Sequence, residues 1–397
     1  MISLEQAQEI VLGAVPHPDI EPVSPLAARD RVLATDIRAS LDLPAFDNSA
    51  MDGFAVRSQE TSGATATTPI ILRESGISAA GDSEPPEVLP NTCVRIFTGA
   101  PIPRGANAVV MQEDSRRDGD QIHILDSVRA WENVRFRGED IRSGTVVLTM
   151  GQRLNPAALS LVGALGMTSL EVARRPRLTV LATGDELLES GEPMEEGKIY
   201  ESNRLMVSAV LEAAGAICQT LPIVRDDPFT TETALKRAFD SSDAVVTTGG
   251  VSMGERDEIK GAFLRLGGQL LVSGVSIKPG KPFSFGQLGG KLFFGLPGNP
   301  VSAFVTALLL LRPAVLRFQG AQRVHLSRFK TVAGERFENK GDRRHFVRVF
   351  INEQHQAVSA GTQAAHFISS LVLAEGLVDL SPRSTVQMGE SLEVLSF

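Results

Sequence analysis

Only two cysteines, Cys93 and Cys218, and six scattered histidines occur in the 397 residues of this chain. Their spacing builds neither a Cys/His metal site nor a disulfide framework. Any bound ion must then be held by oxygen, which favours Mg²⁺ or a similarly hard cation. Positive charge is short as well: 39 Lys plus Arg against 47 Asp plus Glu leave a net charge of −8, the wrong sign for a protein that tracks nucleic-acid backbones. A small anionic ligand would need a local basic pocket. Long apolar runs are missing too. The longest, Val301 to Leu311, falls short of the ~20 residues that span a bilayer, and the opening MISLEQAQEIVLGAV has neither the basic region nor the cleavage site of a secretory signal. A cytoplasmic protein is expected, with neither nucleic acid nor membrane as partner.

Single apolar cores stop growing near ~250–300 residues, so a chain of this length should divide into several domains. Ser3 with Gln6 forms a capping box ahead of Leu4, Ala7, Ile10 and Val11 at helical spacing, which predicts an amphipathic N-terminal helix. From Ile37 to about Ile141, short β-branched runs such as TPIILRE and NTCVRIF alternate with Gly, Pro, Ser and Asn clusters, the pattern of a β domain with long loops. The rhythm changes at Arg175. LTVLAT, TLPIV, DAVVTT and LFFGL read as strands, alternating with helical stretches at Arg204 to Ala214, TETALKRAF, EIKGAFLRL and VSAFVTALLLL. Such alternation predicts a doubly wound, mostly parallel α/β sheet over about 174–318. HFVRVFI and QAVSA then imply a small β domain at the end.

Open α/β sheets bind ligands beyond the carboxyl ends of their strands. The loops there are Thr183-Gly184-Asp185-Glu186, Arg225-Asp226-Asp227-Pro228, TTGGVSMGERD from Thr247 to Asp257, and Pro297-Gly298-Asn299-Pro300. Glycines let backbone N–H groups approach an anion, Ser252 adds a donor, and a helix start after PGNP favours a phosphate. Each loop also has a plainer reading: a tight turn for Gly249-Gly250, a cap for Asn299, a solvated first turn for TGDE. TTGGVSMG lacks the ending of a P-loop and the spacing of a dinucleotide fingerprint. In SIKPGKPFSFG, Lys278 and Lys281 stand three apart in a turn stiffened by proline, placed to meet a multiply charged anion together. In the β region, turn chemistry explains the residue types of PAFDNSAMDGF, TGAPIPRGANAVVMQED and NVRFRGEDIRSG. It does not explain why Asp52, Glu113 and Asp140 stand beside apolar residues, where burying a lone carboxylate is costly.

FDNSAMDGFAV, TGAPIPRGANAVVMQE, RGEDI, TGDEL, IYESNR, RDDP, TTGGVSMGERD, IKPGKPFSFG and GLPGNPVSA resemble, in order and over nearly the whole chain, the motifs of the molybdopterin molybdenumtransferase (MoeA) family. The resemblance implies a homodimer of four-domain subunits: an elongated linker and dimerisation domain (1–43 with 142–173), a β-rich insertion (44–141), an α/β module similar to molybdopterin adenylyltransferase (174–318) and a C-terminal β-barrel-like domain (319–397). It implies a Mg²⁺-dependent reaction of adenylylated molybdopterin with molybdate that yields molybdenum cofactor and AMP, at a site shared between subunits, and a contact with molybdopterin adenylyltransferase. With no clustered thiols in the chain, the pterin's own dithiolene must hold the metal, so the protein's work is placement and charge handling. On this reading Lys278, Lys281, Pro282 and Arg348 take molybdate. Thr183, Gly249, Gly250, Ser252, Pro297 and Asn299 take the phosphate and pterin end. Glu186, Asp226 and Asp257 hold Mg²⁺, and Asp52, Thr98, Arg135 and Asp140 close the site from the partner subunit. The chain departs from the family pattern at Gly274, where a lysine is common, and at Ala365, where a serine is; Ser369, Ser370 or Arg348 could compensate. Adenylyl transfer to molybdopterin and a non-catalytic molybdopterin-binding scaffold are the competing readings.

Overall fold

The computed structural model describes residues 1–250 and 258–397. The chain forms two compact units, one of residues 1–35, 150–163 and 167–397, the other of residues 36–149 with 164–166.

In the larger unit, strands β1 (Arg177–Ala182), β2 (Ile217–Thr220), β3 (Ala244–Thr248), β4 (Gln269–Ser273), β5 (Ser284–Leu288) and β6 (Lys291–Leu296) form one sheet in the order β2-β1-β3-β6-β5-β4. The first four are parallel, whereas β5 runs antiparallel to both β6 and β4. Side chains alternate across it. Leu178, Val180, Val246 and Phe294 enter one apolar cluster, and Leu181, Val245 and Phe293 enter a second with Phe239 and Phe263. That two-sided burial explains why these strands read as continuous apolar runs. Each such side chain, once buried, stabilises the unit by about 1.5–3 kcal/mol. The chain visits β2 on one side of β1 and then β3 on the other, so the loops after β1 and β3 face each other across a topological switch point.

Two strands differ from the sequence reading. TLPIV is a strand only through Thr220, since Pro222 has no N–H to give the ladder; the segment rejoins as an isolated bridge between Thr183 and Val224. β4 and β5 are additions to the sequence reading; β5 begins within SIKPGKPFSFG, read as a turn that presents two lysines, and runs on to Leu288. The capping box of Ser3 and Gln6 is formed at the start of helix Leu4–Gly13. The apolar run from Val301 belongs to a 19-residue helix, Pro300–Phe318, long and apolar enough to cross a membrane, yet most of it is buried inside the protein. Its apolarity serves the core.

A closed sheet ends the chain: Arg344–Ile351, Gln356–Ser359, Ser327–Ala333, Ser391–Ser396 and Gly376–Leu380 pair in turn, and the last returns to the first. Ile277–Lys278 adds to this barrel in parallel with Arg344–His345. One apolar cluster runs from Leu4 and Val32 through the α/β sheet to Phe346, Leu377 and Leu395, which is why the linker, α/β and barrel segments form one unit. The smaller unit is built on a sheet of Ala108–Met111, Gly53–Val56, Thr92–Ile96, Ile70–Ser78, Gln121–Ile124 and Ser115–Asp118, in that order, over a core of Phe54, Leu72, Cys93, Val110 and Ile122.

Candidate functional site

At the switch point the backbone closes tightly. Thr183 N–H donates to Thr248 O at 3.1 Å, Gly184 N–H to Val224 O at 3.2 Å and Gly249 N–H to Leu296 O at 3.2 Å. Gly249 and Gly250 adopt φ of +85° and +63°, and a Cβ on Gly249 would stand 2.6 Å from the Thr183 carbonyl oxygen. Glycine is required here by both conformation and space. Three hydroxyl or amide oxygens around this turn, Thr183 Oγ1, Thr248 Oγ1 and Asn203 Oδ1, are buried without a hydrogen-bond partner among the described residues. Asn203 is oriented by its Nδ2, which donates to Gly298 O at 2.7 Å. Buried polar atoms are nearly always satisfied, so three orphans in one wall fit a ligand that supplies the missing bonds.

The wall encloses a cavity of about 800 Å³, which brings together Thr183, Glu186, Asp226, Gly249, Gly250, Lys281, Pro282, Pro297 and Asn299. Nine of the residues expected from sequence thus share one space. Ser252 and Asp257 lie outside the described residues. Asn299 occupies the cap position of the helix at Pro300, but its side chain makes no capping bond. That helix start also has fewer free donors than PGNP suggested: Pro300 has no N–H, and Val301 gives its own to Ala365 O at 3.1 Å.

The two adjacent aspartates of RDDP have separate fates. Asp227 caps helix Pro228–Ser241, accepting from Thr230 N–H at 2.8 Å, and this bond holds its carboxyl below the usual range. Asp226 faces the cavity. Partial withdrawal from water, together with the charges of Asp185, Glu186 and Glu258, raises its pKa, against one opposing bond from the Asp185 backbone. Mutual repulsion of carboxylates is what a bound cation relieves. Among the described residues no three carboxylates or imidazoles are grouped closely enough to cage an ion. Mg²⁺ characteristically keeps waters and phosphate oxygens beside one or two carboxylates, so Glu186 and Asp226 fit it without a cage.

A cleft of about 530 Å³ shares Lys281 and Pro282 with the cavity and is lined by Lys278, Gly280, Ser302, Arg343, Gln363 and Ala365 among others. The turn carrying the lysines is closed by Val275 N–H to Lys281 O at 3.0 Å, and Gly280, at φ +114°, packs where a Cβ would stand 2.6 Å from Thr306 Cγ2. Pairing of Lys278 with His345 brings Arg343 to the same wall, where its Nη1 donates to Ile277 O at 3.1 Å. Among the described residues, neither lysine has a carboxylate within salt-bridge reach. His345, buried behind them, is kept neutral: burial first, then Lys278, Arg348 and Arg343, lower its pKa to about 4. Arg348 does not line the cleft. It is fully buried and bonds to the 362–370 segment. Gly274 is absent from the cleft wall as well, and its φ of +88° calls for glycine; Ala365 is on the wall.

In the smaller unit, Asp52 Oδ1 accepts from both Thr98 N–H (2.7 Å) and Thr98 Oγ1 (2.8 Å), and these bonds depress its pKa. Arg135 stands opposite Asn48 in a two-residue ladder, and Asp140 N–H donates to Leu43 O at 3.1 Å, so both flank the 43–52 loop. Asp47, Asn48 and Ser49 scaffold that loop: Asp47 Oδ1 accepts from Arg137 N–H, Asn48 Nδ2 donates to Phe46 O, and Ser49 Oγ donates to Met51 O. Asp52, Glu113 and Asp140 are all exposed. Exposed in this way, none of the three carries the cost of a buried lone carboxylate, so turn chemistry accommodates them. Sequence reasoning missed Arg343, Ser302, Gln363, Asn203 and Tyr200 as lining residues. Asn203 and Tyr200 had a signal as part of IYESNR, and Ser302 as part of GLPGNPVSA.

Residues 2–166 match the family described as MoeA N-terminal region (domain I and II), residues 179–317 the probable molybdopterin binding domain, and residues 330–397 the MoeA C-terminal region (domain IV). A molybdopterin molybdenumtransferase of Haemophilus influenzae is 37% identical over 405 residues, covering 100% of this chain and 99% of that one. Molybdopterin molybdenumtransferase 2 of Mycobacterium tuberculosis is 37% identical over 92% of both chains. The crystal structure of the molybdopterin biosynthesis moeA protein of Pyrococcus horikoshii OT3 superposes with a TM-score of 0.86 at 30% identity over 100% of each chain.

Proposed function

Because the chain belongs to the molybdopterin molybdenumtransferase (MoeA) family, we propose that it inserts molybdenum from molybdate into adenylylated molybdopterin, releasing AMP and molybdenum cofactor. One observation carries the reading: a lysine-walled cleft opens beside a larger, carboxylate-edged cavity, and Lys281 and Pro282 belong to both. An oxyanion in the first would lie next to a nucleotide-linked pterin in the second.

Lys278, Lys281 and Arg343 supply the positive charge that molybdate needs in an acidic chain, and Ser302 and Gln363 supply neutral hydrogen bonds. Thr183, Thr248, Asn203 and the Gly249-Gly250 turn receive the phosphate and pterin end. Glu186 and Asp226 hold Mg²⁺, joined in this proposal by Asp257. Bound there, the ion supplies charge neutralisation at the phosphoanhydride that is cleaved. Holding two reactants at fixed separation converts a bimolecular step into an effectively unimolecular one. The protein brings no thiol to the site: Cys93 is buried in the smaller unit, and burial raises both cysteine pKa values to about 12. Molybdenum therefore passes to the substrate's own sulfurs. In the homodimer proposed here, Asp52, Thr98, Arg135 and Asp140 of one subunit close the site of the other, and the reaction takes place in the cytoplasm.

The reading is tested by supplying purified protein with Mg²⁺ and, in separate reactions, free molybdopterin plus ATP or adenylylated molybdopterin plus molybdate. Turnover only in the second is expected. Consumption of ATP in the first would make the protein an adenylyltransferase, and tight binding without turnover in either would make it a scaffold.

A further inference from the structure

Arg348 lies on barrel strand Arg344–Ile351 among Phe346, Val347 and Val349, fully buried and, among the described residues, with no carboxylate partner. Taking an unpaired guanidinium out of water costs several kcal/mol, so an apolar residue would suit the barrel better. The fork reaches a different segment. Nε donates to Ser370 Oγ at 2.8 Å, and Nη2 donates to Thr362 O at 2.9 Å and Ala364 O at 3.3 Å. Gln363 is clasped through its amide, which accepts from Arg348 N–H at 2.9 Å and donates to Arg348 O at 3.0 Å. Ser370 Oγ in turn donates to Phe367 O at 2.6 Å. One side chain thus holds both ends of the 362–370 strap, and Val301 N–H holds its middle at Ala365 O.

The strap is a wall of both cavities: Gln363, Ala364 and Ala365 face the anion cleft, while His366 and Ile368 face the larger cavity. We propose that Arg348 is a positioning residue that pins this strap, so that cleft and cavity keep their shapes together, and that it acts through the strap rather than by touching the oxyanion. The inference rests on the molybdate reading of the cleft and deepens it. Its Nη1 is buried with no partner among the described residues, and its charge, with those of Lys278 and Arg343, acts on His345 behind the cleft. That charge alone could also favour an anion, so a test must separate charge from tether.

Arg348→Lys keeps the charge and loses the fork; Ser370→Ala keeps the charge and loses one tether. Molybdate binding is measured by calorimetry on the full chain, and amide hydrogen exchange is followed over 360–370 and, as an internal control, over strands Gly376–Leu380 and Ser391–Ser396. Losing a hydrogen bond to a charged group shifts the equilibrium that it holds, here pinned against loose strap, by about tenfold or more. Arg348→Lys should therefore weaken molybdate about tenfold or more and speed exchange in the strap alone, with Ser370→Ala intermediate. Arg348→Lys with wild-type affinity and wild-type exchange would overturn the proposal. If Arg348→Lys fails to fold, Ser370→Ala decides by the same two readouts. Wild-type protein that binds no molybdate would overturn the reading of the cleft, while exchange in the variants still judges the tether.

Discussion

Gly249→Ala bears directly on how the site is assembled. The residue sits at φ +85°, and the added Cβ would stand 2.6 Å from a backbone oxygen, that of Thr183. Left-handed backbone costs an L-residue roughly 1–2 kcal/mol, and forcing an atom into packed surroundings costs about 1–3 kcal/mol more. The sum, roughly 2–5 kcal/mol, is a large part of the ~5–15 kcal/mol by which domains are stable. Gly289 provides the control, since its φ of +57° is also left-handed but nothing lies within 4 Å of its Cβ. Gly289→Ala should lose only about 1–2 kcal/mol. Urea unfolding followed by far-ultraviolet circular dichroism compares the two, and titration with adenylylated molybdopterin reads the site. Gly249→Ala should be the less stable and should bind weakly; Gly289→Ala should bind normally. Equal stability loss with unchanged binding in both would refute the close approach of the Gly249 and Thr183 loops.

Asp226→Asn should raise the melting temperature at pH 7 without Mg²⁺. A carboxyl whose folded pKa lies above its unfolded value stabilises the fold below the unfolded pKa and loses that stability as pH rises through the folded one. The same variant should lose the stabilisation that added Mg²⁺ gives the wild type, as differential scanning calorimetry would reveal. His345 works with the opposite sign: it stays neutral in the fold down to about pH 4, whereas the unfolded chain protonates near ~6.5, so its contribution fades as pH falls across that interval. His345→Gln should flatten the wild type's pH dependence there in denaturant titrations, and identical slopes would argue against it. Mixing Asp52→Ala subunits with Lys281→Ala subunits should restore about a quarter to a half of wild-type turnover if sites are shared between partners. No recovery in verified mixed dimers would count against sharing.

The parallel strands of the α/β module were legible because two-sided burial leaves an apolar run that polar loops interrupt. Gly249, Thr183 and the PGNP loop were legible for a related reason, since a strand-end loop in such a sheet has only one edge to face. Arg348 was visible as a cation but not as a tether. Its partners at 362, 364 and 370 are backbone carbonyls and a serine, which carry no pattern in sequence. Arg343 was passed over because it reaches the cleft only through the pairing of Lys278 with His345, a contact 67 positions apart in the chain.

The central claim is that molybdenum insertion and AMP release are one coupled event. The direct measurement is the ratio of AMP released to molybdenum incorporated when the protein turns over adenylylated molybdopterin with Mg²⁺ and limiting molybdate. The account predicts a ratio near one, with AMP release that stops when molybdate is exhausted. AMP release that continues without molybdate, or molybdenum incorporation without AMP, would contradict it.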